Sequence, residues 1–173
     1  MKVRNMTLCG IFAAVLCMCA WLSFPLGDMA ITLQTFGVFL CLGILGGKRG
    51  TISILVYLLL GAVGLPVFSG FRGGIGTLLN TTGGYLTGFL ACSLVYWLLT
   101  SLFPRHTLLA MLAGLLICYL FGSFWYYRFY LAAGGSGNIV VVLLQNLLFL
   151  PADILKLILA QYLSKRILTK ISP

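Results

Sequence analysis

Acidic side chains are nearly absent from this chain: its 173 residues include two, Asp28 and Asp153, against eleven lysines and arginines and a single histidine. That scarcity excludes chemistry that needs two carboxylates acting together, because Asp28, at the end of the first apolar run, and Asp153, in the last, belong to different segments. With His106 alone beside Arg105, neither a Ser/His/Asp constellation nor a metal cluster can be assembled, so no catalytic residue and no metal or cofactor site is expected. The six cysteines (Cys9, Cys17, Cys19, Cys41, Cys92 and Cys118) form no C-x-x-C pair and lie within apolar runs, where reduced thiols act as small hydrophobes. Nucleotide motifs are missing too. GILGGKRG is one residue too short for a phosphate-binding loop and has Arg49 where a Ser or Thr is required, and GGIG at 73–76 lacks the third glycine of a dinucleotide fingerprint.

What is present is grease. Hydrophobic residues make up 61% and charged residues 8%, and the mean hydropathy is +1.12, far from soluble proteins, in which roughly 25% of residues are charged. A span needs about 20 residues to cross the hydrocarbon. Six fit, near 6–26, 30–46, 50–66, 80–101, 107–130 and 139–168, which predicts a single all-α integral membrane domain over 1–173. Lys2, Arg4, Lys48, Arg49, Arg105, Lys165, Arg166 and Lys170 fall at the two termini and the 2–3 and 4–5 links. All of these lie on one face of a six-span protein, so the positive-inside rule puts both termini in the cytoplasm. The net charge of +9 is therefore a topology signal, with contacts to anionic lipid, rather than a nucleic-acid footprint. The N-terminal run is long and lacks an A-x-A site before Pro25-Leu26-Gly27-Asp28, which reads as a retained first span rather than a signal peptide.

Polar and small residues are unevenly placed along these spans. Span 1 carries Gly10 and Ala14, and Ala13 and Cys17, each pair four apart, a pattern that lets another helix approach closely, within the chain or in a partner. Span 2 opens with Thr32, Gln34 and Thr35. The stretch VFSGFRGGIGTLLNTT that follows span 3 holds too many glycines for a lipid-exposed helix, and non-helical backbone survives there only against protein or a cavity. A lid is expected over a pocket, with Gly70, Gly73, Gly74 and Gly76 supplying mobility. Span 4 begins TTGGYLTGF, where Gly83, Gly84 and Gly88 permit close approach and Tyr85 can face the pocket. FGSFWYYRFY ends span 5 as an aromatic belt.

Asp153 and Lys156 stand three apart inside the apolar run LPADILKLILAQYL, behind Pro151, which is expected to break or kink the last span. At 1.5 Å per residue Asp153 lies roughly 18 Å above Lys165, just past the middle of a ~30 Å core. Charges so deep are costly and mark a functional site by default. Two uses remain open: an ion pair that fixes helix packing, or a pocket floor. In the second, Asp153 would accept hydrogen bonds, Lys156 and Arg72 would meet an anion, and Gln34 and Asn80 would offer both donor and acceptor.

In order along the chain, PLGDMAITLQTFGVFL, GGKRG, YLLLGAVGLPVFSGFRGGIG, TTGGYLTGF and PADILKLILA resemble the biotin-specific S-components (the BioY type) of energy-coupling-factor vitamin transporters, over roughly residues 6 to 167. The resemblance implies a six-helix membrane subunit that binds biotin from outside. It would dock, through the small-residue face Gly10, Ala13, Ala14 and Cys17, to a T-component carrying two ABC ATPases. Gly10 stands where the family usually has alanine, and Asn80-Thr81-Thr82 replaces glycine–proline–threonine. The substrate-binding residues so implied are Gln34, Arg72, Asn80, Gly84, Tyr85, Asp153 and Lys156, with Lys156 or Arg72 meeting the carboxylate. A bacterial cytoplasmic membrane is the implied location, and a homo-oligomer stays open. The competing readings are an S-component for another small vitamin and a structural subunit in which Asp153–Lys156 is a packing pair.

Overall fold

The computed structural model describes residues 3–26, 29–132 and 139–171. Helix α1 (Val3–Trp21) is followed by a short antiparallel hairpin, β1 (Ser23–Leu26) and β2 (Met29–Thr32), with Ser23 opposite Thr32 and Phe24 opposite Ile31. Next come α2 (Gln34–Ala62), a 3-10 turn (Ser69–Phe71), α3 (Ile75–Leu78), α4 (Gly83–Leu102), α5 (Thr107–Ala132) and α6 (Ile139–Ile171). Five of these helices are long and apolar enough to cross a membrane.

One of the five is folded in two. Gly46 has φ 76 and ψ 173, outside the helical region and open at little cost to glycine alone. The arms on either side run back along each other: Gln34 Nε2 donates to Tyr57 Oη at 2.7 Å, and Cys41 Sγ approaches the Gly50 carbonyl at 3.8 Å. The arms come close because Gly50 lies on Leu42, where a Cβ would fall 2.8 Å from its Cδ2. The turn seats on α4 because Gly47 lies against the Trp97 backbone, 2.6 Å from its Cα to an added Cβ.

Other boundaries differ from those expected from the sequence. The first helix ends at Trp21 rather than near 26, because the backbone of 23–26 pairs with 29–32 instead of continuing the helix. The second begins at Gln34, after the hairpin, and its second arm stops at Ala62 rather than 66. Gly64, at φ 112, turns the chain into the loop. Helix α6 runs on through Pro151 as one helical element, although proline removes a backbone hydrogen bond there. Asp28 and Lys2 lie outside the described residues.

Helix α4 packs on α5, while α1 and α6 pack on α2. Tyr57, Phe39, Phe68, Leu16, Leu42, Ile54, Met111 and Leu157 fill the interior. The outside is equally apolar, with Leu59, Leu98, Leu116, Leu148 and Leu155 exposed. A protein apolar on both sides of its helices is solvated by lipid, and this is a membrane protein.

Candidate functional site

A cavity of about 370 Å³ opens at the end of the bundle that carries the hairpin and the 63–82 loop. Its size falls at the lower end of the ~300–1,000 Å³ typical of small-ligand pockets. Gln34 and Thr35 line it from α2, Tyr85 and Phe89 from α4, Tyr119 from α5, and Asn146, Phe149, Asp153 and Lys156 from α6. Ile31 and Thr32 of the hairpin and Ser69, Arg72, Thr77 and Asn80 of the loop complete it.

The four α6 residues stand at spacings of three, four and three, so one face of that helix points into the cavity. At its base Asp153 is buried, 6% exposed, and its carboxylate is held from three helices. Oδ1 accepts from Thr35 Oγ1 at 2.8 Å and from Lys156 Nζ at 2.8 Å, and Oδ2 accepts from Tyr119 Oη at 2.5 Å. An ionised carboxylate has about four acceptor sites, so one remains on Oδ2. Lys156 is more fully committed. Its ammonium also donates to the Thr32 carbonyl at 2.7 Å and leans on Thr35 Oγ1 at 3.4 Å, so its three hydrogens are spent within the protein.

Tyr85 forms a second polar group on the cavity wall. Its hydroxyl donates to Asn146 Oδ1 at 2.9 Å, and Asn146 Nδ2 donates to Ser123 Oγ. The ring lies flat enough on Gly122 that a Cβ there would fall 2.2 Å from it. At the rim Arg72 is exposed and makes no ion pair among the described residues.

Six of the seven expected substrate-binding residues thus share one cavity, and Gly84 does not. It packs against Trp125, whose Cβ would lie 2.2 Å from an added methyl, and so sets the α4–α5 approach. Gln34 and Asn80 are also partly engaged in local structure. Gln34 donates to Tyr57, and Asn80 Oδ1 accepts from the Thr82 N–H and hydroxyl at 3.0 Å each, ordering the start of α4.

The loop glycines set shape more than they supply mobility. Gly70 and Gly74 have φ of 70 and 90, and a Cβ on Gly73 would lie 2.2 Å from the Leu65 carbonyl oxygen. Only Gly76 has open space and an ordinary φ. The loop is anchored as well: Trp21 Nε1 donates to the Pro66 carbonyl at 2.9 Å and stacks on Phe71 at 5.1 Å, and Phe68 is buried edge-on to Tyr57 at 5.5 Å. On α1 the small residues split. Gly10 and Ala14 are exposed, whereas Ala13 and Cys17 face the core at 1% and 8% exposure.

Sequence reasoning passed over Tyr119, Ser123 and Asn146. A hydroxyl in an apolar helix carries no signal of its own. Asn146 did offer one, an amide two turns before Asp153 on the same helical face.

Fold and cavity together define a predominantly helical membrane protein built around a pocket of small-ligand size. The chain belongs to the BioY family, whose model matches residues 1–172. It is 44% identical to the biotin transporter BioY of Thermotoga maritima over 124 residues, 70% of this chain and 73% of that protein. It is 36% identical to the probable biotin transporter BioY of Pyrococcus horikoshii over 167 residues, 96% and 98% of the two. Among solved structures, a crystal structure of the S-component for biotin from an ECF-type ABC transporter superposes with a TM-score of 0.86 at 28% identity, covering 97% of this chain and 92% of that one.

Proposed function

We propose that this chain is the S-component of an energy-coupling-factor transporter and binds biotin from outside the cell for uptake. The observation that carries the reading is the polarity of the cavity: an acceptor held at its base and, at its rim, a cation with no ion pair among the described residues. Biotin has the complementary ends, a cyclic urea with two N–H donors and a carboxylate on a flexible chain. The free acceptor site of Asp153 takes one urea N–H. The apolar thiophane ring lies against Phe89 and Phe149, which line the cavity between the polar groups.

Of the two candidate cations, Lys156 is already committed to Asp153 and the Thr32 carbonyl, so Arg72 meets the carboxylate. The relatives' names support the cargo, and the similar solved S-component supports the class. The chain acts as a binder, not an enzyme, with biotin as transported ligand and no cofactor. In this reading the two arms of α2 are separate spans, giving six, with both termini cytoplasmic in a bacterial cytoplasmic membrane and the 63–82 loop as outer lid. A T-component with two ABC ATPases docks on α1 through the exposed Gly10–Ala14 face, and Ala13 and Cys17 pack inward.

Calorimetric titration of the detergent-purified chain with biotin and with biotin methyl ester tests this. Wild type binds biotin 1:1, and Asp153→Asn loses both ligands. Arg72→Gln weakens biotin about tenfold, as expected for one partly exposed charge-assisted contact, while leaving the ester unchanged. No biotin binding by a monodisperse wild type refutes the cargo, and competition with other vitamins would then replace it.

A second reading has an observation of its own: Asp153 and Lys156 are satisfied by α2, α5 and α6 without any ligand. If the pair only fixes packing, Asp153→Asn lowers the melting temperature and leaves biotin binding intact.

A further inference from the structure

Asn146 is an amide that is 5% exposed, in the wall of the cavity, and the assignment of Asp153 and Arg72 leaves it unused. A carboxamide has two N–H donors and two acceptor lone pairs. Tyr85 occupies one lone pair and Ser123 one N–H, each from a different helix, so the amide is fixed in orientation. One donor and one acceptor are left. They lie two turns, about 10 Å, beyond Asp153 on the same face of α6.

We infer that Asn146 is a specificity-determining residue, which reads the N–H and C=O edge of the ligand's cyclic urea while Asp153 holds the opposite N–H. The inference rests on the biotin reading above. A carboxamide presents its donor and acceptor side by side, and a urea edge presents the same two groups in reverse order, so the two pair at two points. Asp153 alone is an acceptor and cannot sense the urea oxygen, and Lys156 has no hydrogen left to donate to it. Among the α6 side chains that line the cavity, discrimination at that oxygen therefore falls to the amide. A buried donor left without a partner is what makes a site reject an analogue.

The test compares biotin with 2-thiobiotin, in which sulfur, a poorer acceptor, replaces the urea oxygen. Both are titrated into purified wild type, Asn146→Leu and Ser123→Ala. Wild type is expected to prefer biotin. Asn146→Leu binds biotin roughly tenfold to a hundredfold more weakly, and its preference between the two ligands collapses to within about twofold. Should that variant fail to fold, Ser123→Ala keeps the amide but frees it to rotate, and the same preference falls several-fold. An equal loss for both ligands means that Asn146 only packs the helices and overturns the inference, as does an unchanged preference in a folded variant. A wild type that binds biotin while Asn146→Leu discriminates normally sinks this inference alone. A wild type that binds no biotin sinks the cargo with it.

Discussion

Asp153 and Lys156 are each costly in an apolar helix, yet three-sided hydrogen bonding makes them tolerable together. The asymmetry of such pairs gives a prediction at the scale of single residues. Lys156→Met leaves a buried carboxylate with hydroxyl partners and no counter-charge, and removing one member of a buried pair costs roughly 3–5 kcal/mol. The variant should melt well below wild type in detergent, and the double change Asp153→Asn/Lys156→Met should recover much of the loss. Equal melting of wild type and Lys156→Met would show that the carboxylate needs no cation. The pair was legible in the sequence because charge stands out against leucine. Thr35, one of the polar residues that open the second span, was marked as polar but not as a partner of the pair, and Tyr119 was not marked at all: tyrosine and threonine are common in membrane helices, and only the fold says which hydroxyls turn inward. The packing of Gly84 was hidden for a related reason. A glycine beside a pocket tyrosine looks like a ligand contact, whereas here the missing side chain admits Trp125.

Among the elements, the long helices were legible as apolar runs and their ends were not. The stretch from 22 to 26 is apolar like the helix before it; Pro25 argues against continued helix, but does not say that the backbone hydrogen bonds around it go to a partner strand. That hairpin matters to the site, since its last residue gives the carbonyl that holds Lys156. Small residues at four-residue spacing marked α1 as a packing helix without saying which pair faced where. The structure separates them, with Ala13 and Cys17 inside and Gly10 and Ala14 outside beside exposed Ile11 and Met18. A close partner helix needs the outer pair to stay small. Ala14→Trp should accordingly leave biotin titration of the isolated chain unchanged and abolish co-purification with the T-component. Normal co-purification of the variant would move the docking surface off this face of α1.

Across the whole molecule, polar groups gather at one end of an apolar bundle, and lysines and arginines, Lys48, Arg49, Arg105, Lys165 and Arg166 among them, sit at the predicted cytoplasmic end. The loop beside the cavity is tied to α1 through Trp21, so the helix proposed to meet the partner also touches the proposed lid. The electrical state of the cavity follows from what lines it. Among the described residues that line it, Asp153 and Lys156 cancel and Arg72 adds one positive charge, which the carboxylate of the proposed ligand would cancel in turn. The loaded site is formally neutral, while the empty one carries one charge, on which a membrane potential acts with about 2.3 kcal/mol per 100 mV. In vesicles held at different diffusion potentials, the inward step of the loaded subunit should run at one rate, and the return of the empty subunit should change with voltage. A voltage-dependent loaded step would mean that the carboxylate travels without Arg72. Biotin, on this account, is the counter-ion that lets its own carrier turn over in the membrane field.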